Sequence, residues 1–191
     1  MLDPYRHEHT DIQDISWEQL GRLLVGFAET MADDYSPELV AGIAKGGLFP
    51  AVYLASVFQR DLLPIKLSRR HNEQVVHDEP VWHVLPSDVV KGKSVLVVDD
   101  ICVSGRTIEM AVAELGKHGA REIRTAALAI HDESVKPDYV MLRTNSLIVW
   151  PWDRDVLVQG TWRTNPEYSE EMERIRGQAP GHPPAAENDA P

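Results

Sequence analysis

Val95-Leu96-Val97-Val98-Asp99-Asp100-Ile101-Cys102-Val103-Ser104-Gly105-Arg106-Thr107 is the stretch whose reading decides the fold. Four consecutive apolar residues, three of them valine, read as a strand buried on both faces, as in a parallel sheet. Two acids follow where that strand should end. A loop of small residues, 104–107, then opens a run with Ile108, Ala111, Val112 and Leu115 at helical spacing. Loop amides and a helix N-terminus suit a phosphate. Adjacent carboxylates suit ribose hydroxyls and Mg²⁺, held directly or through water. Strand, acid pair and anion-binding turn, in that order, describe a sugar-phosphate site.

Working outward, Ser16-Trp17-Glu18-Gln19 is a capping box. It opens a helix with Trp17, Leu20, Leu24, Phe27 and Met31 on one face. Residues 39–44 read as a buried strand and Lys45-Gly46-Gly47 as a tight loop. The next helix, with Pro50 in its first turn, should end near Phe58. Strands are expected over 62–67, 81–85, 123–130, 139–142 and 147–150, with Gly119 as a helix C-cap. Residues 68–80 are polar and read as a long exposed loop or hairpin, of the kind that is functional or mobile. Strands alternating with helices indicate an α/β parallel sheet. Ligands in such sheets bind beyond the carboxyl ends of the strands.

A chain of 191 residues suits one domain, expected over 1–176, with a tail over 177–191. The tail is rich in Pro, Ala and acids, lacks the large apolar residues a core needs and reads as disordered. No apolar stretch approaches the roughly 20 residues of a membrane span. Cys102 is the single cysteine, so no internal disulfide forms. With no basic-then-apolar pattern in residues 1–7, the expected compartment is the cytoplasm. A formal net charge of −11 argues against nucleic acid as a partner. The same charge means that an anionic ligand must be held by local groups that outweigh the global field.

The 95–107 stretch resembles the phosphoribosyl pyrophosphate (PRPP) signature of the type I phosphoribosyltransferases. The opening Val-Leu-Val-Val-Asp-Asp alone also suits bacterial receiver domains, but there it stands near the domain start and no Ser-Gly-Arg-Thr loop follows. The resemblance runs from about Ser16 to Val158 and is nearest to the xanthine-guanine and other purine phosphoribosyltransferases. It is carried by the Trp17 helix, the 41–50 segment Ala-Gly-Ile-Ala-Lys-Gly-Gly-Leu-Phe-Pro, Pro137-Asp138-Tyr139 and Pro151-Trp152-Asp153.

The resemblance implies a Rossmann-like parallel sheet flanked by helices, with a mobile hood loop. It implies Mg²⁺-dependent transfer of the phosphoribosyl group from PRPP to a heterocyclic base, and a homodimer or homotetramer. Asp99 and Asp100 would be the catalytic acids, meeting the metal indirectly, with PRPP. Residues Val103, Ser104, Gly105, Arg106 and Thr107 would hold the 5′-phosphate. Lys45, Gly46 and Gly47, with Arg69 and Arg70 on the hood, would face pyrophosphate. His131, Leu147 and Ile148 would contact the base.

Three positions depart from the family, all on the base side. Val103 stands where the 6-oxopurine enzymes place an acid beside the purine, and it cannot take a proton. His131 replaces a lysine; it can read a carbonyl, act as a base or cap its loop. Leu147 replaces an aromatic residue, losing stacking but keeping apolar contact. Two alternatives stay open: transfer to a non-standard base, and a non-catalytic protein that senses PRPP or nucleotides through the same site.

Overall fold

The computed structural model describes residues 9, 11–71, 74–131 and 136–178. In chain order the elements are β1 (Ile12–Asp14), α1 (Trp17–Ala32), β2 (Leu39–Ile43), α2 (Leu48–Phe58), β3 (Asp61–Ser68), β4 (Arg70–His71), β5 (Gln74–Val75) and β6 (Val81–Val84). A 3-10 turn (Asp88–Val90) leads to β7 (Ser94–Cys102), α3 (Arg106–Lys117), β8 (Glu122–Ile130), β9 (Tyr139–Arg143) and β10 (Leu147–Val149). The chain continues through β11 (Asp155–Val158), β12 (Thr161–Thr164) and α4 (Pro166–Gln178). Among the described residues it divides into two compact units, one of Glu18–Thr144 and one that joins residues 9–17 to 145–178.

The first unit is built on a six-stranded sheet in the order β6-β3-β2-β7-β8-β9. All neighbours are parallel except β6, which pairs antiparallel with β3. The central strands are the most apolar. β2 is buried at every position, and β7 is buried from Ser94 through Asp99. Ile108, Ala111 and Leu115 line the inner face of α3 and pack in the core with Ala41, Val97 and Ala127. Leu115 is fully buried, so its removal from water contributes roughly 1.5–3 kcal/mol.

This sheet has its topological switch between β2 and β7. From β2 the chain crosses through α2 to β3 on one side, and from β7 through α3 to β8 on the other. The two loops that leave the carboxyl ends of β2 and β7 therefore stand at the switch point, the place where open α/β sheets bind ligands.

One expectation for α1 needs correction. Leu20, Leu24, Phe27 and Met31 are buried as the spacing predicts, but Trp17 is 58% exposed. It is the first residue of the helix, and a helical Cβ leans toward the N-terminus, beyond the first turn that the stripe packs.

In the second unit β10 pairs in parallel with β1, Leu147 opposite Ile12. Leu147, Val149 and Ile175 form its small core, flanked by Ile12, Tyr168 and Met172. Trp150 stacks on Trp152 at 5.0 Å between ring centroids, and Trp17 tilts against Trp152 at 6.5 Å. Trp152 is thus a packing residue. The β11–β12 hairpin and α4 were not expected from the sequence. Gln159 and Gly160 both have positive φ, 49° and 82°, the backbone of a two-residue hairpin turn. Asn165 accepts the Glu167 N–H on its side chain at 3.1 Å and so caps α4 ahead of Pro166. Gly177 and Gln178 close α4, and the rest of the expected tail, residues 179–191, lies outside the described residues.

Candidate active site

Asp99 ends the continuous buried run of β7, and Asp100 follows it. Asp99 is only 8% exposed and Asp100 is half-buried. Each carboxylate is steadied by the next backbone amide: Asp99 Oδ1 accepts the Asp100 N–H at 3.0 Å, and Asp100 Oδ1 accepts the Ile101 N–H at 2.9 Å. Burial, then the neighbouring Asp100 charge, pushes Asp99 well above the usual carboxylate range. Burial raises Asp100 as well, while hydrogen bonds and the positive charge of Arg70 pull it back. Two acids in one low-dielectric place are poised for a cation or for hydroxyl donors.

The loop after β2 presses onto this pair. A Cβ on Gly46 would overlap the Asp100 carboxylate. One on Gly47 would come within 2.6 Å of the Val98 carbonyl oxygen, 2.7 Å of the Ile43 carbonyl oxygen and 2.8 Å of the Asp99 Cα. Both glycines serve close backbone approach. The Ala44–Lys45 peptide is cis, and the carbonyls of Lys45 and Gly46 accept the Leu48 and Phe49 amides as α2 begins. Lys45 is exposed in this loop.

Beyond the acids the chain turns sharply. Gly105 adopts φ 75°, a left-handed conformation that glycine accepts without strain. The Ser104 hydroxyl accepts the Arg106 N–H at 3.4 Å, and the Gly105 carbonyl accepts the Glu109 N–H at 2.9 Å as α3 starts. Val103, Ser104, Gly105, Arg106 and Thr107 thus form one turn at a helix N-terminus, an anion-binding geometry. The Arg106 side chain is engaged elsewhere: its Nε donates to Glu79 Oε2 at 2.7 Å, and Nη1 lies 3.5 Å from Glu109 Oε2.

The 68–80 segment contains the β4–β5 hairpin. The Arg69 carbonyl accepts the Val76 and His77 amides at its base, and the Arg70 charge reaches Asp100. Residues 72 and 73 of this segment lie outside the described residues. His131 follows β8 at the same end of the sheet; its N–H meets the Cys102 carbonyl at 3.4 Å, and Nδ1 lies 2.7 Å from the Thr144 carbonyl oxygen. Leu147 and Ile148 are buried on β10 in the second unit. Sequence reasoning missed Glu79 and Thr144. Neither carries a local signal, because one matters through an ion pair and the other through a backbone carbonyl.

Among the described residues, no cluster of three or more His, Cys, Asp or Glu side chains is placed to hold a metal by itself. A pair of carboxylates suits Mg²⁺ when phosphate oxygens of a substrate complete its shell.

Residues 12–159 match the family model described as the phosphoribosyl transferase domain. The bifunctional protein PyrR of Ralstonia nicotianae (strain ATCC BAA-1114 / GMI1000) is 28% identical over 141 residues, 70% of this chain and 79% of that protein. The purine phosphoribosyltransferase of Pyrococcus horikoshii Ot3 superposes with a TM-score of 0.66 at 34% identity, covering 78% of this chain and 99% of that one. The xanthine-guanine-hypoxanthine phosphoribosyltransferase of Helicobacter pylori, 18% identical, shares the fold with a TM-score of 0.62 over 75% of this chain and 93% of its own.

Proposed function

The chain belongs to the phosphoribosyl transferase family, with the type I fold, and on that premise we propose that it transfers the 5-phosphoribosyl group of PRPP to a heterocyclic base of the purine class. The observation that carries this reading is the contact of Gly46 and Gly47 with Asp99 and Asp100 at the switch point. It brings the backbone of the 45–47 loop onto the acid pair, next to the 103–107 turn, at one end of one sheet.

In this reading the turn amides and the α3 N-terminus hold the 5′-phosphate. Asp99 and Asp100 accept hydrogen bonds from the ribose hydroxyls. Lys45 and the amides of Gly46 and Gly47 face the pyrophosphate, with Arg70, and Arg69 beside it, supplying positive charge from the hairpin. Asp99 and Asp100 are also the residues to hold Mg²⁺ together with substrate oxygens, and the ion would supply charge neutralisation for the leaving group. The C1′–oxygen bond to pyrophosphate breaks and its electron pair departs with that group. Positive charge grows on the ribose and is stabilised by the nearby carboxylates. A ring nitrogen of the base bonds to C1′ and gives up its proton to solvent water or to an oxygen of the departing pyrophosphate, since Val103 cannot accept it. Most of the rate comes from positioning and electrostatics.

The test is direct. The purified protein is mixed with PRPP, Mg²⁺ and a panel of purine and pyrimidine bases, and pyrophosphate release is followed. Turnover with any base is expected, and calorimetry should show Mg²⁺-dependent PRPP binding. Absence of both removes the reading. Binding without turnover would favour the second reading, a PRPP or nucleotide sensor, which the likeness to a bifunctional relative supports. The net charge of −11 disfavours an RNA-binding form of it.

A further inference from the structure

We propose that the β11–β12 hairpin is a self-association surface, on which a second copy of this chain docks across a twofold axis through Leu157 and Trp162. The inference concerns the second unit alone and does not depend on the transfer reaction.

Among the described residues, β11 and β12 form a sheet of their own and neither joins a third strand. Their register sets Asp155 opposite Thr164, Val156 opposite Arg163, Leu157 opposite Trp162 and Val158 opposite Thr161. Residues alternate between faces along a strand, and opposite residues share one. One face therefore carries Asp155, Leu157, Trp162 and Thr164, and all four are exposed. Trp162 is 70% exposed, more than any other large apolar side chain among the described residues, and Leu157 is 58% exposed. The opposite face carries Val156, which is half-buried. A lone two-stranded hairpin is marginal in water. A bare Trp–Leu pair at the centre of one is the kind of anchor that interfaces use.

The occupant follows from charge and register. Two copies of a chain with formal net charge −11 repel each other, so they meet most readily where acids are scarce. Residues 156–166 contain no acid, and Arg163 is their one charged side chain. On the exposed face the single charge is Asp155, whose Oδ2 lies 4.0 Å from Arg154 Nε. A strongly charged partner finds no matching field there. The face does match itself. A twofold axis parallel to the strands and midway between them lays Trp162 on the partner's Leu157, twice, and Asp155 beside the partner's Thr164. Apolar meets apolar and a carboxylate meets a hydroxyl, with no like charges opposed. Such an isologous contact closes on itself. Strands of this length run only about 13 Å, and two of them cover much less than the roughly 800 Å² per partner of a stable interface. The contact is therefore concentration-dependent, with a dissociation constant about micromolar or weaker.

Sedimentation equilibrium on the full chain, over a range of concentrations, tests this. Wild type is compared with Trp162→Lys, Leu157→Lys and Val158→Lys, the last placing the same charge on the opposite face of the same hairpin. Each lysine makes the chain less negative, so weaker association cannot come from added repulsion. Trp162→Lys and Leu157→Lys should weaken one association step, monomer to dimer or dimer to tetramer, by about tenfold or more. Val158→Lys should match wild type. Higher salt should strengthen the step, because it screens the repulsion between two negative chains and spares the apolar contact. Thermal melts check the fold, and Trp162→Ser repeats the test without a new charge. The inference is overturned if the chain is monomeric throughout, if assembly is the same in wild type and every variant, if Val158→Lys weakens it as much as Trp162→Lys, or if salt disperses it. Binding of the monomer to phosphatidylcholine vesicles, abolished by Trp162→Lys, would overturn it as well, since a lipid surface would then be the occupant. None of these results bears on pyrophosphate release, so this inference and the transfer reading fail separately.

Discussion

Gly46 and Asp100 are packed so closely that a methyl group on the glycine would occupy the space of the carboxylate. In Gly46→Ala the Asp100 side chain must rotate away and give up its bond to the Ile101 amide. Because the obstructing atoms are the end of a side chain, the fold survives and the site does not. We expect PRPP affinity to fall by roughly tenfold or more, with stability changed by no more than about 1 kcal/mol. Gly47→Ala is the contrast: its methyl meets backbone at Val98, Ile43 and Asp99, which cannot swing aside, and should lose about 1–3 kcal/mol of stability. Calorimetric titration and thermal melts separate the two.

The acid pair makes the unliganded protein less stable as pH rises. Asp99 has its folded pKa raised by burial and by Asp100. Above the ordinary aspartate range the unfolded chain has released the proton while the folded one still holds it, so stability is lost as pH rises toward the raised value. Below that range both states are protonated and the penalty vanishes. Asp99→Asn should therefore raise the melting temperature at neutral pH, by about 2–4 °C per kcal/mol recovered. The gain should shrink as pH approaches 4, and PRPP use should be lost. A melting temperature unchanged from wild type across pH 4–8 would contradict this account.

Arg106 meets Glu79 at 2.7 Å, an ion pair between the segment after the β4–β5 hairpin and the first residue of α3. Both side chains are about half exposed, so the pair adds little stability. Its interest is functional, since the guanidinium that Glu79 engages is the one the phosphate turn would offer to PRPP. Glu79→Gln should lower the KM for PRPP several-fold with kcat within a factor of two. An unchanged or higher KM would show that Arg106 does not meet the phosphate.

Tyr35 and Tyr139 lie 6.4 Å apart between ring centroids, yet their hydroxyls differ. Tyr139 Oη donates to Asp34 Oδ1 at 2.6 Å, and its pKa is pushed up to about 12 by burial and by that bond. The Tyr35 hydroxyl is buried without a hydrogen-bond partner among the described residues, and the Arg124 guanidinium lies over its ring at 5.2 Å. Tyr35→Phe keeps the ring under Arg124 and removes the orphan hydroxyl, so it should stabilise by about 1 kcal/mol. Tyr139→Phe should destabilise by a similar amount. Denaturant titration of both variants checks the opposite signs.

Cys102 sits at the end of β7, 3% exposed, and burial together with the Asp99 and Asp100 charges pushes its thiol far above the ordinary range. The native protein should not react with a thiol-directed aromatic disulfide, and one equivalent should react after unfolding. Rapid labelling of the folded chain would mean that β7 opens at its carboxyl end.

The strand 95–98, the acid pair and the turn 104–107 were legible because their signals are local. A run of β-branched residues, a charge pair and a glycine where φ is positive are each encoded within a few positions. The β11–β12 hairpin was not legible, since Gln159-Gly160 is a weaker turn signal than Asn-Gly, and Leu157 and Trp162 pair across it while exposed. Trp17 misled because helical spacing gives the face of a residue but not whether the first turn packs.

Sequence by itself determined an α/β sheet whose central strand carries two carboxylates near its end and leads into a small-residue turn at a helix start, because backbone preference and hydrophobic period act over short spans. Only the tertiary structure decided that Gly46 and Gly47 rest on Asp99 and Asp100, that Glu79 holds Arg106 and that Thr144 orients His131. Those contacts join residues far apart in the chain. They exist because β2 and β7 become neighbours in the sheet while their helices leave in opposite directions, a choice made by the packing of the whole unit and written in no single segment.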